Sequence, residues 1–172
     1  MNESMKKFIR EIPDFPKCGI LFRDITPALL DSRAFTTICD ELHGHCRNMS
    51  IDKVAAVESR GFIFASVLAY QMGIGFIPMR KPGKLPWKTI QETYSLEYGE
   101  AAIEMHIDAV SPRERILILD DLLATGGTAA AAARLIERQG AVVEELVFLI
   151  ELADLKGRDN LKGRKIYSLM QY

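Results

Sequence analysis

The stretch ILILDDLLATGGTA, Ile116 to Ala129, sets four aliphatic residues, two adjacent aspartates and a small-residue turn in immediate succession. An unbroken aliphatic run bounded by charge reads as a strand buried on both faces, as in a parallel sheet. The alanine-rich AAAAARLIERQG that follows reads as a helix ended by Gly140, since alanine has the best helix propensity and lets a helix approach a sheet closely. Ligands of open parallel sheets bind beyond the carboxyl ends of strands. Asp120 and Asp121 stand where a strand over residues 115 to 119 ends, so the pair faces such a position. Neighbouring strand residues point to opposite faces, which lets one carboxylate reach a sugar hydroxyl or hydrated metal while the protein holds the other. The turn Ala124, Thr125, Gly126, Gly127, Thr128 then opens the helix with free backbone N–H groups and roughly half a positive charge of helix dipole. Glycines allow an anion close approach and threonine hydroxyls add donors, so the turn suits a phosphate.

Three rival readings fare worse. A Walker A loop needs Gly-Lys-Ser/Thr, and no lysine follows Gly126 or Gly127. GIGFIP at residues 73 to 78 lacks the third glycine of a dinucleotide fingerprint and falls within a strand. A merely solvated Gly-Gly turn explains the glycines but not the ordered series of strand, acids, cup and helix.

The 172 residues are 48% hydrophobic and 26% charged, which fits one compact domain over residues 1–172. A net charge of −1 gives no overall basic field to draw nucleic acid or an anionic membrane, so anion binding must be local. The N-terminus has no apolar signal-like segment, and no run approaches the roughly 18 apolar residues that a membrane span needs. Cys18, Cys39 and Cys46 are scattered without a CxxC, which points to a reducing cytoplasm. Asn48-Met49-Ser50 is an accidental glycosylation match in that setting. His43, His45 and Cys46 lie in a helical pattern that points His45 away from the apolar stripe, so they do not converge as zinc ligands.

Met5, Phe8, Ile9 and Ile12 have helical spacing, predicting a helix over 5–12 that Pro13 and Pro16 end. An irregular segment follows, then a helix over 33–47 with Ser32 as N-cap. KVAAV (53–57) and IGFIPM (74–79) read as buried strands joined by a helix in FIFASVLAYQM, with ESRGF as the strand-to-helix turn. Residues 80–91 read as a long exposed loop, TYSLE and AAIEMH as a hairpin, and VVEELVFLIEL (142–152) as a further strand. The alternation predicts an α/β fold with a largely parallel sheet.

On these residues the Ile116–Ala129 stretch resembles the phosphoribosyl pyrophosphate signature of the type I phosphoribosyltransferases. FPKCGILFRDITP, ESRGF, RKPGKLP, YSLEYG and ELADLKGR resemble the adenine-using members of that family, and the likeness spans nearly the whole chain. The resemblance implies a central, largely parallel sheet flanked by helices, a small N-terminal hood (about 1–30) that binds the base, and a mobile hairpin loop (about 80–105). It implies that adenine and phosphoribosyl pyrophosphate give AMP and pyrophosphate in purine salvage, with Mg2+ travelling on the substrate rather than on a direct protein ligand.

The family's roles carry over by motif. Ala124 to Thr128 hold the 5′-phosphate, and Asp120 and Asp121 face the ribose hydroxyls. Glu58, Ser59 and Arg60 form a pyrophosphate loop with a cis peptide before the serine, and Arg80, Lys81 and Lys84 reach the pyrophosphate, in part across a homodimer interface. Backbone groups of Leu21 and Arg23 recognise adenine, which Phe22 and Leu122 sandwich. Glu97 is the acid-base residue, brought in on the hairpin with Tyr98 as the site closes. A hypoxanthine-, guanine- or xanthine-using relative would keep the cup but lack the N-terminal segment. A non-catalytic sensor of phosphoribosyl pyrophosphate would need a nucleic-acid-binding extension that this length does not hold.

Overall fold

The computed structural model describes residues 3–95 and 100–172. Its centre is a five-stranded parallel sheet in the order β4 (Gly75–Met79), β3 (Lys53–Val57), β7 (Arg115–Leu123), β8 (Val142–Glu151), β9 (Ile166–Gln171). Helix α3 (Arg60–Met72) makes the β3-to-β4 crossover, and α4 (Gly127–Arg138) makes the β7-to-β8 crossover.

The unbroken apolar run of β7 serves two cores at once. Leu117 and Leu119 pack with Val54, Val147 and Leu149 against α2 (Ser32–Cys46) and α3, through Ile38, Leu42, Phe64 and Leu68. Ile116 and Ile118 face the other way, onto Ala131, Ala132, Leu135 and Ile136 of α4. Both faces of the central strand are covered, so alternation of polar and apolar residues has no place in it.

Two antiparallel pairs flank the sheet. The hood is β1 (Arg10–Pro13) paired with β2 (Leu21–Asp24), followed by the short α1 (Thr26–Leu30). The second pair joins β5 (Thr89–Ser95) to β6 (Glu100–His106), in register from Thr89↔His106 to Ser95↔Glu100.

Four local expectations are corrected. The helix expected over 5–12 is a 3-10 turn over Glu3–Phe8 followed by a strand, because Arg10–Pro13 finds a backbone partner in Leu21–Asp24; Met5 and Ile9 remain buried. The N-cap of α2 is Asp31, whose carboxylate accepts the Ala34 N–H at 2.9 Å, and the helix begins at Ser32. The exposed loop after β4 ends earlier, at the start of β5. Strand β7 runs past the aspartates to Leu123, because β8 continues to pair with it as far as Glu151, while its ladder with β3 ends at Ile118. Asp120 and Asp121 therefore belong to the strand's second half, laddered on the β8 side. No described helix is long and apolar enough to cross a membrane.

Candidate active site

Strands β3 and β7 are adjacent and parallel, so the segments leaving them emerge at one end of the sheet. From β3 the chain passes through the Glu58–Ser59 peptide, which is cis as the resemblance implied, into α3 at Arg60. From β7 it passes through Ala124–Gly126 into α4. Between them opens a cavity of about 440 Å3, whose walls include Ser59, Arg60, Asp120, Asp121, Ala124 and Thr128. A smaller cavity of about 70 Å3 sits within the turn itself, against Thr125, Gly126 and Gly127.

The turn is fixed from behind by the chain's last quarter. Gly126 has φ +82° and caps α4, and a Cβ there would run into the carbonyl of Gly157. Asn160 Nδ2 donates to the Thr125 carbonyl at 2.7 Å. The first N–H groups of α4 have no partner within the helix, and Gly127 and Thr128, which open it, border the smaller cavity. Gly157 and Asn160 belong to or follow ELADLKGR, a segment that sequence reasoning matched without giving it a role.

The two aspartates divide their work. Asp121 is buried, and its Oδ2 lies 2.6 Å from Arg60 Nε. Asp120 Oδ1 accepts the backbone N–H of Asp121 at 2.9 Å, and Asp120 borders both cavities. Burial pushes the carboxyl of Asp120 well up, and the neighbouring charge of Asp121 adds to the rise. Burial also raises Asp121, but Arg60 opposes that rise. Within the pair, Asp121 carries the charge. Gly61 makes the arrangement possible, because a Cβ there would stand 2.8 Å from Asp120 Oδ1 and 3.2 Å from the Leu119 carbonyl.

Comparison with known proteins shows the family of the chain. Residues 26–166 match the phosphoribosyl transferase domain family. The adenine phosphoribosyltransferase of Anaeromyxobacter dehalogenans is 52% identical over 172 residues, covering 100% of both chains. That of Roseiflexus sp. (strain RS-1) is 51% identical over the same 172 residues, again covering 100% of both chains. The chain belongs to the adenine phosphoribosyltransferase family. The crystal structure of adenine phosphoribosyltransferase from Thermoanaerobacter pseudethanolicus superposes with a TM-score of 0.97 at 49% identity, covering 100% of each chain. That of Saccharomyces cerevisiae, complexed with an imino-altritol bisphosphate and adenine, gives 0.91 at 37% identity, covering 97% of each chain. The fold is that of the type I phosphoribosyltransferases, and the chain is a pentosyltransferase.

The other residues expected from the sequence divide between the cavity wall and the loop beside it. Lys81 and Leu122 line the cavity. Glu58 also reaches its wall, but its carboxylate holds the following loop: Oε2 accepts from Arg80 Nε at 2.8 Å and Oε1 from the Lys81 N–H at 2.8 Å. Burial works to raise Glu58, and the bonds from Lys81 and Arg80 outweigh it, leaving the carboxyl below its ordinary value. Arg80 donates in turn to the Lys84 carbonyl at 3.1 Å, so the Arg80 side chain is held on the loop, and neither Arg80 nor Lys84 is in the wall of the cavity of about 440 Å3.

The hood residues stand beside the cavity rather than in its wall. Phe22 meets Phe15 edge to face at 5.1 Å and lies 5.2 Å from the Arg60 guanidinium, so Arg60 spans from the hood to Asp121. The Arg23 side chain pairs with Glu11 and covers the Tyr172 ring, while Leu21 is half-exposed. Glu97 and Tyr98 lie outside the described residues. Sequence reasoning missed Tyr94 and Ile103, which line the cavity from the hairpin; Tyr94 opens the quoted YSLEYG and carried that much signal. His45 serves the fold, with Nε2 2.8 Å from Glu145 Oε2 and its ring stacked on Tyr167 at 3.7 Å.

Proposed function

We propose that the protein transfers the 5-phosphoribosyl group of phosphoribosyl pyrophosphate to N9 of adenine, forming AMP and releasing pyrophosphate, as a purine-salvage enzyme of the cytoplasm. The observation that carries the reading is the phosphate turn at the start of α4, set in one cavity with Asp120 and with the Arg60–Asp121 pair. A ribose phosphate seated with its 5′-phosphate on Ala124–Thr128 brings its hydroxyls to the two aspartates. Its C1 then faces Ser59, Arg60 and Lys81, the donors for the diphosphate.

In this reading the N9–C1 bond forms as the bond from C1 to the diphosphate oxygen breaks, and the N9 proton passes to Glu97. Tyr98 accompanies closure of the hairpin, which keeps water from the cationic sugar. Mg2+ arrives on the diphosphate and lowers the charge of the leaving group, while Asp121 and Glu58 are already committed to Arg60 and to Arg80 and Lys81. Backbone groups of Leu21 and Arg23 pair with the exocyclic amine of adenine, which a 6-oxo purine would meet lone pair against lone pair. Phe22 and Leu122 enclose the ring. Arg80, held by Glu58 on the loop after β4, and Lys84 of the same loop serve the diphosphate in a homodimer. The adenine in the yeast complex supports the choice of base.

Incubation with adenine, phosphoribosyl pyrophosphate and Mg2+, followed by separation of nucleotides, tests the reading. AMP and pyrophosphate should form in equal amounts; absence of AMP removes the reading.

A further inference from the structure

We infer that Glu92 is a positioning residue for the transfer reaction: it fixes the β5–β6 hairpin along α4, so that Tyr94 and the phosphate turn keep their places in one cavity. The inference rests on the reading of the reaction given above. Glu92 Oε1 accepts from Arg134 Nε at 2.6 Å and Oε2 from Arg138 Nη1 at 3.0 Å, while Arg138 Nη2 donates to the Gln91 carbonyl at 2.7 Å. Arg134 and Arg138 are one turn apart on a single face of α4. The same face continues toward the helix start through Ala130 and Gly127, which with Tyr94 border a cavity of about 320 Å3. Helix α4 thus grips the hairpin with two guanidinium groups at its far end and offers only small residues at the end nearest the site.

On its β6 side the hairpin is bridged to Arg80 by two backbone hydrogen bonds at Glu104, whereas the other contacts of β5 with α4 are apolar. Ile90 and Tyr94 pack on the alanine-rich core, and apolar packing of this kind is non-directional, so it permits sliding along the helix. A carboxylate shared by two guanidinium groups is directional and defines one position. Tyr94, two residues beyond Glu92, lines the catalytic cavity together with Thr128, the second residue of α4. A small slip between β5 and α4 would therefore shift Tyr94 within the cavity while leaving the phosphate turn on α4 in place. The Glu92 side chain is 18% exposed but both arginine side chains are about half exposed, at 48% and 49%, so the guanidinium groups freed in Glu92→Gln turn to water and the loss should appear in catalysis more than in stability.

The test compares wild type with Glu92→Gln in the adenine assay, with AMP affinity by calorimetry and the thermal midpoint alongside. Misplacement on the ångström scale predicts that Glu92→Gln lowers kcat by about 10- to 100-fold, with AMP affinity and thermal midpoint close to wild type. Reversing the clamp at one arm, with Glu92→Arg joined to Arg134→Glu, should recover part of the activity lost in Glu92→Arg alone, while Arg138 keeps its bond to the Gln91 carbonyl. Wild-type kcat in Glu92→Gln overturns the inference. So does a parallel fall of kcat, AMP affinity and thermal midpoint, which would mark a purely structural role, and so does failure of the reversed clamp to recover activity. A wild-type protein that makes no AMP would instead remove the reaction on which the inference rests.

Discussion

Arg60 Nε and Asp121 Oδ2 meet at 2.6 Å, tying the first residue of α3 to the last third of β7 across the mouth of the parallel sheet. The Asp121 side chain is 8% exposed and that of Arg60 38%, so the arginine reaches from solvent to cover a charge that has left it. Removing the partner leaves that carboxylate buried and unsatisfied. Arg60→Met should therefore lower stability by about 1–3 kcal/mol in urea unfolding, and a second change, Asp121→Asn, should recover part of the loss. An unchanged urea midpoint in Arg60→Met would show that the pair does not hold the two elements together.

The raised carboxyl of Asp120 sets a pH dependence with a definite sign. An unfolded aspartate titrates near about 3.9, whereas in the fold burial first, and then the Asp121 charge, raise Asp120 well above that. Its contribution to stability is complete below the unfolded value and is lost as pH rises through the folded one. The advantage of Asp120→Asn over wild type should thus grow from about pH 4 toward neutrality while activity falls. Urea midpoints at acid and neutral pH measure this, and a pH-independent difference would contradict it. Glu151 has the opposite sign: the Arg158 guanidinium, with help from Ser168, lowers its carboxyl. Wild type should lose stability as pH falls through about 4 and below, and Glu151→Gln should show a smaller loss, since Glu58 and other lowered carboxyls still contribute.

Two glycines should respond oppositely to alanine. Gly126 has φ +82°, and a side chain there would meet the Gly157 carbonyl, so Gly126→Ala should destabilise by about 1–3 kcal/mol and raise KM for phosphoribosyl pyrophosphate more than for adenine. Gly44 lies inside α2 with nothing within 4 Å of its added Cβ, so Gly44→Ala should stabilise by about 0.5–1 kcal/mol. Thermal melts and steady-state kinetics of both variants check the contrast.

The three cysteines should differ in reactivity. Cys18 is exposed, while burial first, and then nearby carboxylates, push the thiols of Cys39 and Cys46 to about 11 and about 12. A disulfide reagent should titrate one thiol in the native protein and all three in denaturant. Labelling of Cys46 before unfolding would contradict the packing described.

Periodicity and punctuation made most of the sheet legible. KVAAV lies within a strand of the same bounds, and Gly140 marks the end of α4 because local pattern and tertiary burial agree there. The phosphate turn was readable because glycine, helix start and strand end coincide in sequence. Two regions were not. Residues 10–13 carry a helical spacing of apolar positions, yet the partner strand eight residues further on decides their structure. The supports behind the turn, Gly157 and Asn160, lie some thirty residues from it, and backbone approach between two glycines leaves no local signature. Gly61 was invisible for the same reason, since its role is the space it leaves for Asp120.

The most direct test of the central claim is a crystal structure of the protein with AMP. The account predicts the phosphate on the backbone N–H groups of residues 125–128, the ribose hydroxyls on Asp120 and Asp121, and the base between Phe22 and Leu122. AMP bound with its phosphate away from the Ala124–Thr128 turn would contradict it.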